Sequence, residues 1–292
     1  MSQVAHALET RQPVVALEST VITHGLPFPE NLNLARDMEA EVRAGGATPA
    51  TIALLDGRVH VGVEDEGLDR LARGGGMHKI STRDYGIAIA KGWSGGTTVA
   101  GTMMAAHQVG IRVFATGGIG GVHRGVPFDI SADLPQLAHT PMIVVCAGAK
   151  AILDLSATLE YLETCAVPVL GYQTDEFPAF YSRTSGLKVT YQIDSPDEAA
   201  TIAKEHWKLG LSSAVLVTTP LPEEVAIPAE FVEGAIQAAL QEASEQGIRG
   251  QEVTPFLLQR VSEFSGGASL RANLALLRNN ARLGAEIARY MV

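Results

Sequence analysis

The chain has 292 residues, of which 46% are apolar, enough to bury a substantial core in one or two folded domains. Its formal net charge of −10 argues against a general nucleic-acid-binding protein, because polyphosphate repels an acidic surface, although a local basic pocket for one phosphate is compatible with it. No apolar run reaches the roughly 18 residues that span a bilayer, and residues 1–12 lack the apolar core of a signal peptide. We therefore expect a cytoplasmic protein with no membrane partner.

Six apolar runs that are typical of buried strands alternate with helical segments along the chain. They cover residues 13–17, 51–55, 111–115, 141–146, 167–172 and 214–218. This alternation predicts a mostly parallel sheet. Between the first two runs, apolar residues recur at helical spacing from Leu32 to Val42, and Gly45 is placed to end that helix.

Local signals refine this prediction. The pair Asp56 and Gly57 is typical of a tight hairpin, so we expect the sheet to be mixed. Ser195 and Pro196 predict the start of another helix. The last quarter has no strand pattern and predicts three helices, over residues 229–246, 254–265 and 269–290. No linker composition separates this helical C-terminal region from the rest, so we expect a single domain over residues 1–292.

Polar residues that directly follow apolar runs are candidates for a site, because ligands of parallel α/β folds bind beyond the carboxyl ends of the strands. Glu18 follows the first run. A carboxylate there either caps a backbone turn or acts as an acid or base, and the structural role is the commoner one. Lys79 lies near Arg83, and two such cations suit anion recognition and a solvated surface equally well.

A glycine-rich segment, residues 116–125, follows the third run. Its glycine content lets backbone N–H groups approach an oxyanion closely. The segment has neither the G-x-G-x-x-G spacing of a dinucleotide-binding turn nor the Gly-Lys-Ser/Thr of a Walker P-loop.

Carboxylates come directly after this segment. Asp129 and Asp133 supply hard oxygen ligands that suit Mg²⁺ or Mn²⁺, and His123 is a softer candidate ligand. The alternative is helix capping, with Asp129 or Ser131 at the start of a helix over residues 132–138. Spacing alone leaves both interpretations open.

Lys150 ends a strongly apolar stretch, residues 141–149, at the expected start of a helix that runs to Glu163. The positive end of a helix dipole and the loss of hydration both disfavour an ammonium ion, so this position predicts a neutral amine. A neutral amine is what a Schiff-base nucleophile requires. The alternative is a lysine whose side chain reaches solvent from the helix end.

These places lie in strings that resemble the pseudouridine-5′-phosphate glycosidase family, also called the indigoidine synthase A-like family. The strings are ALESTVITHGLPFPEN from Ala16, KISTRD from Lys79, TTVAGTM from Thr97, FATGGIGGVHRG from Phe114, FDISADL from Phe128, VVCAGAKAILDL from Val144, GYQTDEFPAFYSRTSG from Gly171 and NLALLRNNA from Asn273. They occur in order over nearly the whole chain.

The resemblance implies a homotrimeric enzyme with a three-layer α/β/α fold that uses a divalent ion, typically Mn²⁺. It matches Lys150 to the Schiff-base lysine, Glu18 to the proton donor and Asp129 to the metal site. It also matches residues to positions that contact the substrate, namely Lys79, Val99, Ser131, Ala132, Asp133 and an active-site asparagine, Asn273. Residues 125–128 form a shorter connection than in some relatives, so we do not expect the contacts that this loop makes elsewhere.

The implied reaction is the reversible cleavage of the carbon–carbon glycosidic bond of pseudouridine 5′-phosphate to uracil and ribose 5-phosphate, in nucleoside catabolism. This small molecule is then the expected partner, with no nucleic acid. Our hypothesis is that neutral Lys150 attacks C1′ while Glu18 protonates the ring oxygen, and that the phosphate lies near Lys79, Ser131 and the glycine-rich segment.

Two other functions compete with this one. A different lyase or an aldolase acting on sugar phosphates would also use a Schiff-base lysine. A nucleotide-sensing protein that keeps the fold without the activity would be expected to lack Lys150 or Glu18, and the chain has both. Some relatives are associated with the blue pigment indigoidine, so the pathway context also stays open.

Overall fold

The structure, a computed structural model, describes residues 2–125, 128–248 and 253–292. The strands are β1 (Val14–Leu17), β2 (Thr48–Leu55), β3 (Arg58–Val61), β4 (His78–Ile80), β5 (Gly95–Thr97), β6 (Val113–Ala115), β7 (Val122–His123), β8 (Ile143–Cys146), β9 (Leu153–Asp154), β10 (Val169–Tyr172), β11 (Tyr191–Ile193) and β12 (Val215–Thr218). A π-helical turn, Val21–Gly25, follows β1.

The helices are α1 (Gln3–Glu9), α2 (Glu30–Ala44), α3 (Asp65–Ala72), α4 (Tyr85–Lys91), α5 (Val99–Gln108), α6 (Asp133–His139), α7 (Leu155–Thr164), α8 (Pro196–Lys208), α9 (Ala229–Glu245), α10 (Val253–Phe264) and α11 (Ala268–Ala288). Among the described residues, none of these helices is both long and apolar enough to cross a membrane.

The central sheet is mixed and mostly parallel. Its order is β11-β10-β12-β8-β6-β1-β2-β5-β4, with β3 paired to β2 off this path. Strand β2 runs antiparallel to β3 and β5, and the other neighbours are parallel. The sheet is therefore built from two parallel blocks that meet at β2.

Helices cover both faces of the sheet and give the three-layer α/β/α architecture that we expected. On one side α11 packs against α2, α8 and strands β1, β6 and β8, while α5 packs against α6 and α6 against α7. Gly284 of α11 lies against Val15, Val113 and Ala115. Ion pairs from Arg278 and Arg282 to α2 hold the same helix at its outer side.

The predicted strands and helices are largely confirmed. All six apolar runs contain a strand, and the C-terminal region forms α9, α10 and α11 within two residues of the predicted limits. The hairpin turns at Asp56 and Gly57, whose φ angles of +50° and +72° lie in the left-handed region that such a turn requires. Strands β4, β5, β7, β9 and β11 were not predicted, because each has two or three residues and lies outside the apolar runs.

Candidate active site

The carboxyl ends of parallel strands β1, β6 and β8 lie at one edge of the sheet, beside a cavity of about 640 Å³. The π-helical turn and helices α10 and α11 supply the opposite wall. Four of the predicted site residues line this cavity, namely Glu18, Lys79, Lys150 and Asn273. They come from four distant parts of the chain, as a site at the carboxyl ends of parallel strands predicts.

Glu18 is the residue after β1, and only 8% of its surface is exposed. Its Oε1 accepts a hydrogen bond of 2.5 Å from the hydroxyl of Thr116, the residue after β6. Burial raises the pKa of Glu18 above its ordinary value, and the charge of Lys150 and the bond from Thr116 partly offset this effect. A carboxyl group in this state is suited to holding and delivering a proton.

Lys150 lies on a turn, and the predicted helix start at this position is wrong. Helix α7 begins five residues later, at Leu155, with Asp154 as its N-cap. The Lys150 N–H donates to the carbonyl oxygen of Ile119, and the Leu153 N–H donates to that of Lys150. Lys150 therefore does not lie at the N-terminus of a helix, and no helix dipole acts directly on its amine. The residue is partly buried and lines the cavity.

Lys79 occupies the middle of β4 and is partly buried in the same cavity. Burial lowers the pKa of Lys79, the charge of Lys150 lowers it further, and the carboxylates of Asp133 and Glu18 oppose this shift. Glu18 and Lys79 thus both have a pKa displaced from its ordinary value, and both line one cavity. Displaced pKa values in a cleft are typical of catalytic sites.

Asp133 makes two hydrogen bonds to the backbone, and its predicted contact with the substrate stays a prediction. Its Oδ1 accepts from the Ala100 N–H at 2.9 Å and its Oδ2 accepts from the Gly120 N–H at 2.7 Å. The Asp133 carboxylate therefore links the first turn of α5 to the glycine-rich segment by one hydrogen bond to each. The described residues that line the cavity do not include Asp133 or its predicted companions Val99, Ser131 and Ala132.

The capping alternative for this segment is only partly correct. Ala132 is the N-cap of α6, and the Ser131 hydroxyl accepts from the Asp133 N–H at 3.2 Å. Asp129 makes no capping bond among the described residues. Ser131 also lies against Gly120, where an added Cβ would stand 2.1 Å from the serine hydroxyl.

The predicted metal site offers a small donor set. The Asp129 Oδ2 is 3.9 Å from the His123 Nδ1, and both side chains are incompletely buried. Within the described parts of the chain, no group of three His, Cys, Asp or Glu residues is arranged to hold a metal ion. Residues 126 and 127, in the short connection before Asp129, lie outside the described residues. The two side chains fit an ion that keeps most of its ligands as water.

Comparison with known proteins shows the family of this chain. The family model of indigoidine synthase A-like proteins matches residues 3–290. The chain belongs to this family. A pseudouridine-5′-phosphate glycosidase of Caldanaerobacter subterraneus subsp. tengcongensis is 53% identical over 288 residues, covering 98% of this chain and 94% of that protein. One of Solibacter usitatus is 54% identical over 291 residues, covering 99% and 97%.

A solved structure shares the whole fold with this member of the indigoidine synthase A-like family. It is the prealnumycin C-glycosynthase in complex with ribulose 5-phosphate, with a TM-score of 0.92 and 43% identity. The match covers 100% of this chain and 95% of that one. The three-layer fold is thus common to this chain and to an enzyme whose name describes carbon-glycoside chemistry.

Sequence reasoning gave no role to several residues at the site of this family member. His24 lies on the π-helical turn, with its Nδ1 2.7 Å from the Thr23 hydroxyl. Loss of hydration and the charge of Lys79 lower the pKa of His24, which favours the neutral ring. A π-helical turn is itself a signal of a functional site, but its hydrogen-bond pattern is invisible in the sequence.

Phe180 was also missed. It lines the cavity with a left-handed φ of +63°, an uncommon conformation for a non-glycine residue that occurs often at functional sites. Its ring lies so close to Gly118 that an added Cβ would be 2.6 Å away. The glycine-rich segment therefore owes part of its composition to packing against an aromatic ring.

Proposed function

We propose that this chain cleaves the bond between C1′ of ribose and C5 of uracil in pseudouridine 5′-phosphate, giving uracil and ribose 5-phosphate. One observation supports this most directly: a buried carboxyl group with a raised pKa, Glu18, shares a single cavity with Lys150 and Lys79. Two relatives more than 50% identical over almost the whole chain are pseudouridine-5′-phosphate glycosidases.

The reaction requires a nucleophile because the base leaves from carbon. An ordinary glycosidase stabilises an oxocarbenium ion while an oxygen or nitrogen departs. A carbon leaving group is far poorer, and a covalent amine adduct divides the step into two easier ones. Lys150 is the proposed nucleophile, and the neutral amine is the reacting form.

The reaction is proposed to pass through a ring-opened adduct of the sugar on Lys150. The Lys150 nitrogen forms a bond to C1′ while the bond from C1′ to the ring oxygen breaks, and Glu18 gives its proton to that oxygen. The adduct nitrogen, positively charged after the attack, returns a proton to the Glu18 carboxylate. Its lone pair then forms an iminium ion as the bond from C1′ to C5 breaks and C5 takes up that proton from Glu18. Water adds to the iminium carbon, the bond from carbon to nitrogen breaks, and ribose 5-phosphate is released with Lys150 as the neutral amine and the remaining proton on Glu18.

The substrate phosphate is proposed to bind at Lys79, where a cation partly buried in the cavity faces the reacting groups. Backbone N–H groups of the glycine-rich segment, which lines the cavity at Gly117 and Gly118, are proposed to join Lys79 at the phosphate. Val99, Ser131, Ala132 and Asp133 lie outside the cavity lining and are proposed to support this segment, since Asp133 accepts from the Gly120 N–H. Asn273 of α11 faces the cavity from the opposite wall and is proposed to contact the base. Binding at two ends orients the sugar between Lys150 and Glu18.

A divalent ion, with Mn²⁺ as the first candidate, is proposed at Asp129, with His123 as the nearby second ligand. A bound divalent ion supplies positive charge that organises water and polarises nearby oxygen atoms. The homotrimer, the cytoplasmic location and the catabolic role are likewise proposals that the family membership motivates.

The test is incubation of the purified chain with pseudouridine 5′-phosphate and Mn²⁺, with uracil followed by chromatography. Borohydride added during turnover should attach a reduced pentose phosphate to Lys150, located by peptide mass spectrometry. We expect Lys150→Ala to lose at least about 10³-fold in kcat and to trap nothing, since it removes the nucleophile. The exposed Lys91 at the end of α4 gives the control, Lys91→Ala, which should trap normally.

The reverse reaction, which joins uracil to ribose 5-phosphate, is supported separately. The structural relative is a C-glycosynthase in complex with a pentose phosphate, ribulose 5-phosphate. The same mixture run with uracil and ribose 5-phosphate tests it. Uracil release without any lysine adduct would end the Schiff-base proposal, and adduct formation with aldose phosphates but not with pseudouridine 5′-phosphate would favour an aldolase or another lyase instead.

A further inference from the structure

The carboxyl group of Glu18 is held by a hydrogen bond that the proposed reaction does not yet use. Among the described residues, the Thr116 hydroxyl is the donor that reaches this carboxylate, at 2.5 Å from Oε1. Both residues follow neighbouring parallel strands whose register pairs Leu17 with Ala115. The contact is therefore set by the sheet, and it brings together residues 98 positions apart in the chain.

Thr116 is in turn fixed from the α11 side. Asn280, which has no exposed surface, donates from its Nδ2 to the Thr116 carbonyl oxygen at 2.7 Å and to that of Gly117 at 3.3 Å. The Thr116 N–H donates to the carbonyl oxygen of Val145 on β8. Both backbone polar groups of Thr116 are thus occupied, which leaves its hydroxyl pointing at Glu18.

Burial of the Asn280 side-chain amide destabilises the folded chain, because one of its polar atoms is left unpaired within the part of the chain that the structure describes. Its Oδ1 is buried and makes no hydrogen bond among the described residues. Leaving a buried acceptor unpaired is destabilising, and such groups in native structures ask for an explanation. An apolar side chain of similar size would avoid the unpaired oxygen but would leave the carbonyl of Thr116 without its donor, whereas that of Gly117 would keep the bond from the Ala147 N–H.

We propose that Asn280 and Thr116 form a relay of positioning residues, in which Asn280 fixes the end of β6 and the Thr116 hydroxyl aims the Glu18 carboxyl group at the sugar ring oxygen. The inference rests on the proposed function for the identity of the proton acceptor. Neither residue is among the described residues that line the cavity, so each is proposed to act through Glu18.

The relay has a measurable signature in the titration of Glu18. A hydroxyl that donates to a carboxyl group stabilises the ionised form more than the neutral one, so removing it must raise the pKa of Glu18. A shift of about one pH unit is expected, which corresponds to about 1.4 kcal/mol. The direction is upward because the lost bond favours the carboxylate.

The experiment follows the Glu18 carboxyl band by infrared difference spectroscopy, with Glu18→Gln as the reference that assigns it. Thr116→Val should raise the titration midpoint by about one unit, and Thr116→Ser, which keeps the hydroxyl, should restore it. Thr218→Val is the matched control: Thr218 is equally buried at the end of β12, and its hydroxyl donates to the Leu170 carbonyl. This control should leave the midpoint unchanged.

A kinetic arm tests Asn280. We expect Asn280→Leu to lower kcat about 10-fold with KM changed less than about 3-fold, because the loss acts on proton delivery and not on uniform substrate binding. The control for Asn280→Leu is Asn279→Leu, since the Asn279 amide lies 3.4 Å from the Thr219 hydroxyl, away from Thr116.

The pH–rate profile tests Thr116. The limb of this profile that Glu18→Gln abolishes should move to higher pH in Thr116→Val.

The two proposals fail in different ways. Absence of uracil release by the wild-type chain would overturn the proposed function and still leave the infrared titration readable. An unchanged Glu18 midpoint in Thr116→Val, or a serine variant that behaves like the valine variant, would overturn the relay even in a fully active enzyme.

Discussion

Lys79 shows how burial converts an ordinary side chain into a pH-sensitive ligand-binding group. Its pKa is lowered by burial first and by Lys150 second, so its ammonium form is lost at a lower pH than that of an exposed lysine. The ammonium ion is the form that binds a phosphate dianion. Affinity must therefore be complete below the lowered pKa and must decline as the pH rises through it.

We predict that the affinity for ribitol 5-phosphate, an alcohol that cannot form a Schiff base, falls in the wild-type chain as the pH rises through the lowered pKa of Lys79, before the ordinary lysine value of 10.5 is reached. Lys79→Gln should bind this ligand about 10- to 100-fold more weakly at pH 7.5, the range expected for a hydrogen bond to a charged group, and should lose the pH dependence. Calorimetric titration measures both effects. Lys91→Gln should behave as the wild type, and a pH-independent wild type would contradict the phosphate role of Lys79.

Single residues were predictable from the sequence where they follow a strand, and unpredictable where their role depends on register. Glu18 and Lys150 were found because each directly follows an apolar run, and Lys79 because a second cation, Arg83, lies close to it in the sequence. Thr116 and Asn280 were not, because their contact with the site requires β1 to pair with β6 and α11 to lie over both. The bonds that both oxygens of Asp133 accept from backbone N–H groups were likewise not predictable, because they join residues 13 and 33 positions apart.

At the scale of elements, the turn that carries Lys150 depends on one glycine. Gly148 has a φ of +89°, and an added Cβ would lie 2.3 Å from the carbonyl oxygen of Pro178. Substitution there meets both a left-handed backbone and a backbone atom that cannot move aside like a side chain. The shape of this turn is thus fixed by a segment 30 residues further along the chain, which explains why a helix start was expected at Lys150 instead.

We predict that Gly148→Ala lowers the free energy of unfolding by about 3 kcal/mol or more and reduces kcat, because strain in the left-handed region adds to the clash. Gly186→Ala is the matched control. Gly186 also has a positive φ, of +75°, but no atom lies within 4 Å of its added Cβ, so only the strain of about 1–2 kcal/mol is expected. Urea denaturation compares the two, and equal losses would show that the Pro178 contact is unimportant.

The elements that sequence reasoning found are those with a long periodic pattern. The six apolar runs and the three C-terminal helices each have enough residues for their spacing to be recognised. Strands β4, β5, β7 and β9 have two or three residues each, and they form because neighbouring strands supply their hydrogen bonds. Tertiary pairing, not local preference, makes them strands.

At the scale of the whole molecule, α11 links the core to the cavity. Near its start Asn273 lines the cavity, in its middle Asn280 fixes the end of β6, and further along Gly284 lies on the sheet. Because a packed helix moves as a rigid unit, a displacement of its C-terminal half is transmitted to both asparagines. Core packing and site geometry are therefore coupled through this one helix.

We predict that Gly284→Leu destabilises the fold by about 1–3 kcal/mol, since an added Cβ would already be 3.2 Å from that of Ala115 and the larger side chain must push the helix off the sheet. The same substitution at Gly234, in α9, meets no atom within 4 Å at its Cβ and replaces a poor helix former, so it should stabilise by up to about 1 kcal/mol. Urea denaturation and kcat/KM for pseudouridine 5′-phosphate should be measured together. If core packing and site geometry are coupled through α11, Gly284→Leu lowers kcat/KM although Gly284 lies outside the cavity lining. A destabilised variant with wild-type kcat/KM would contradict the coupling and would mean that α11 bends between the sheet and the site.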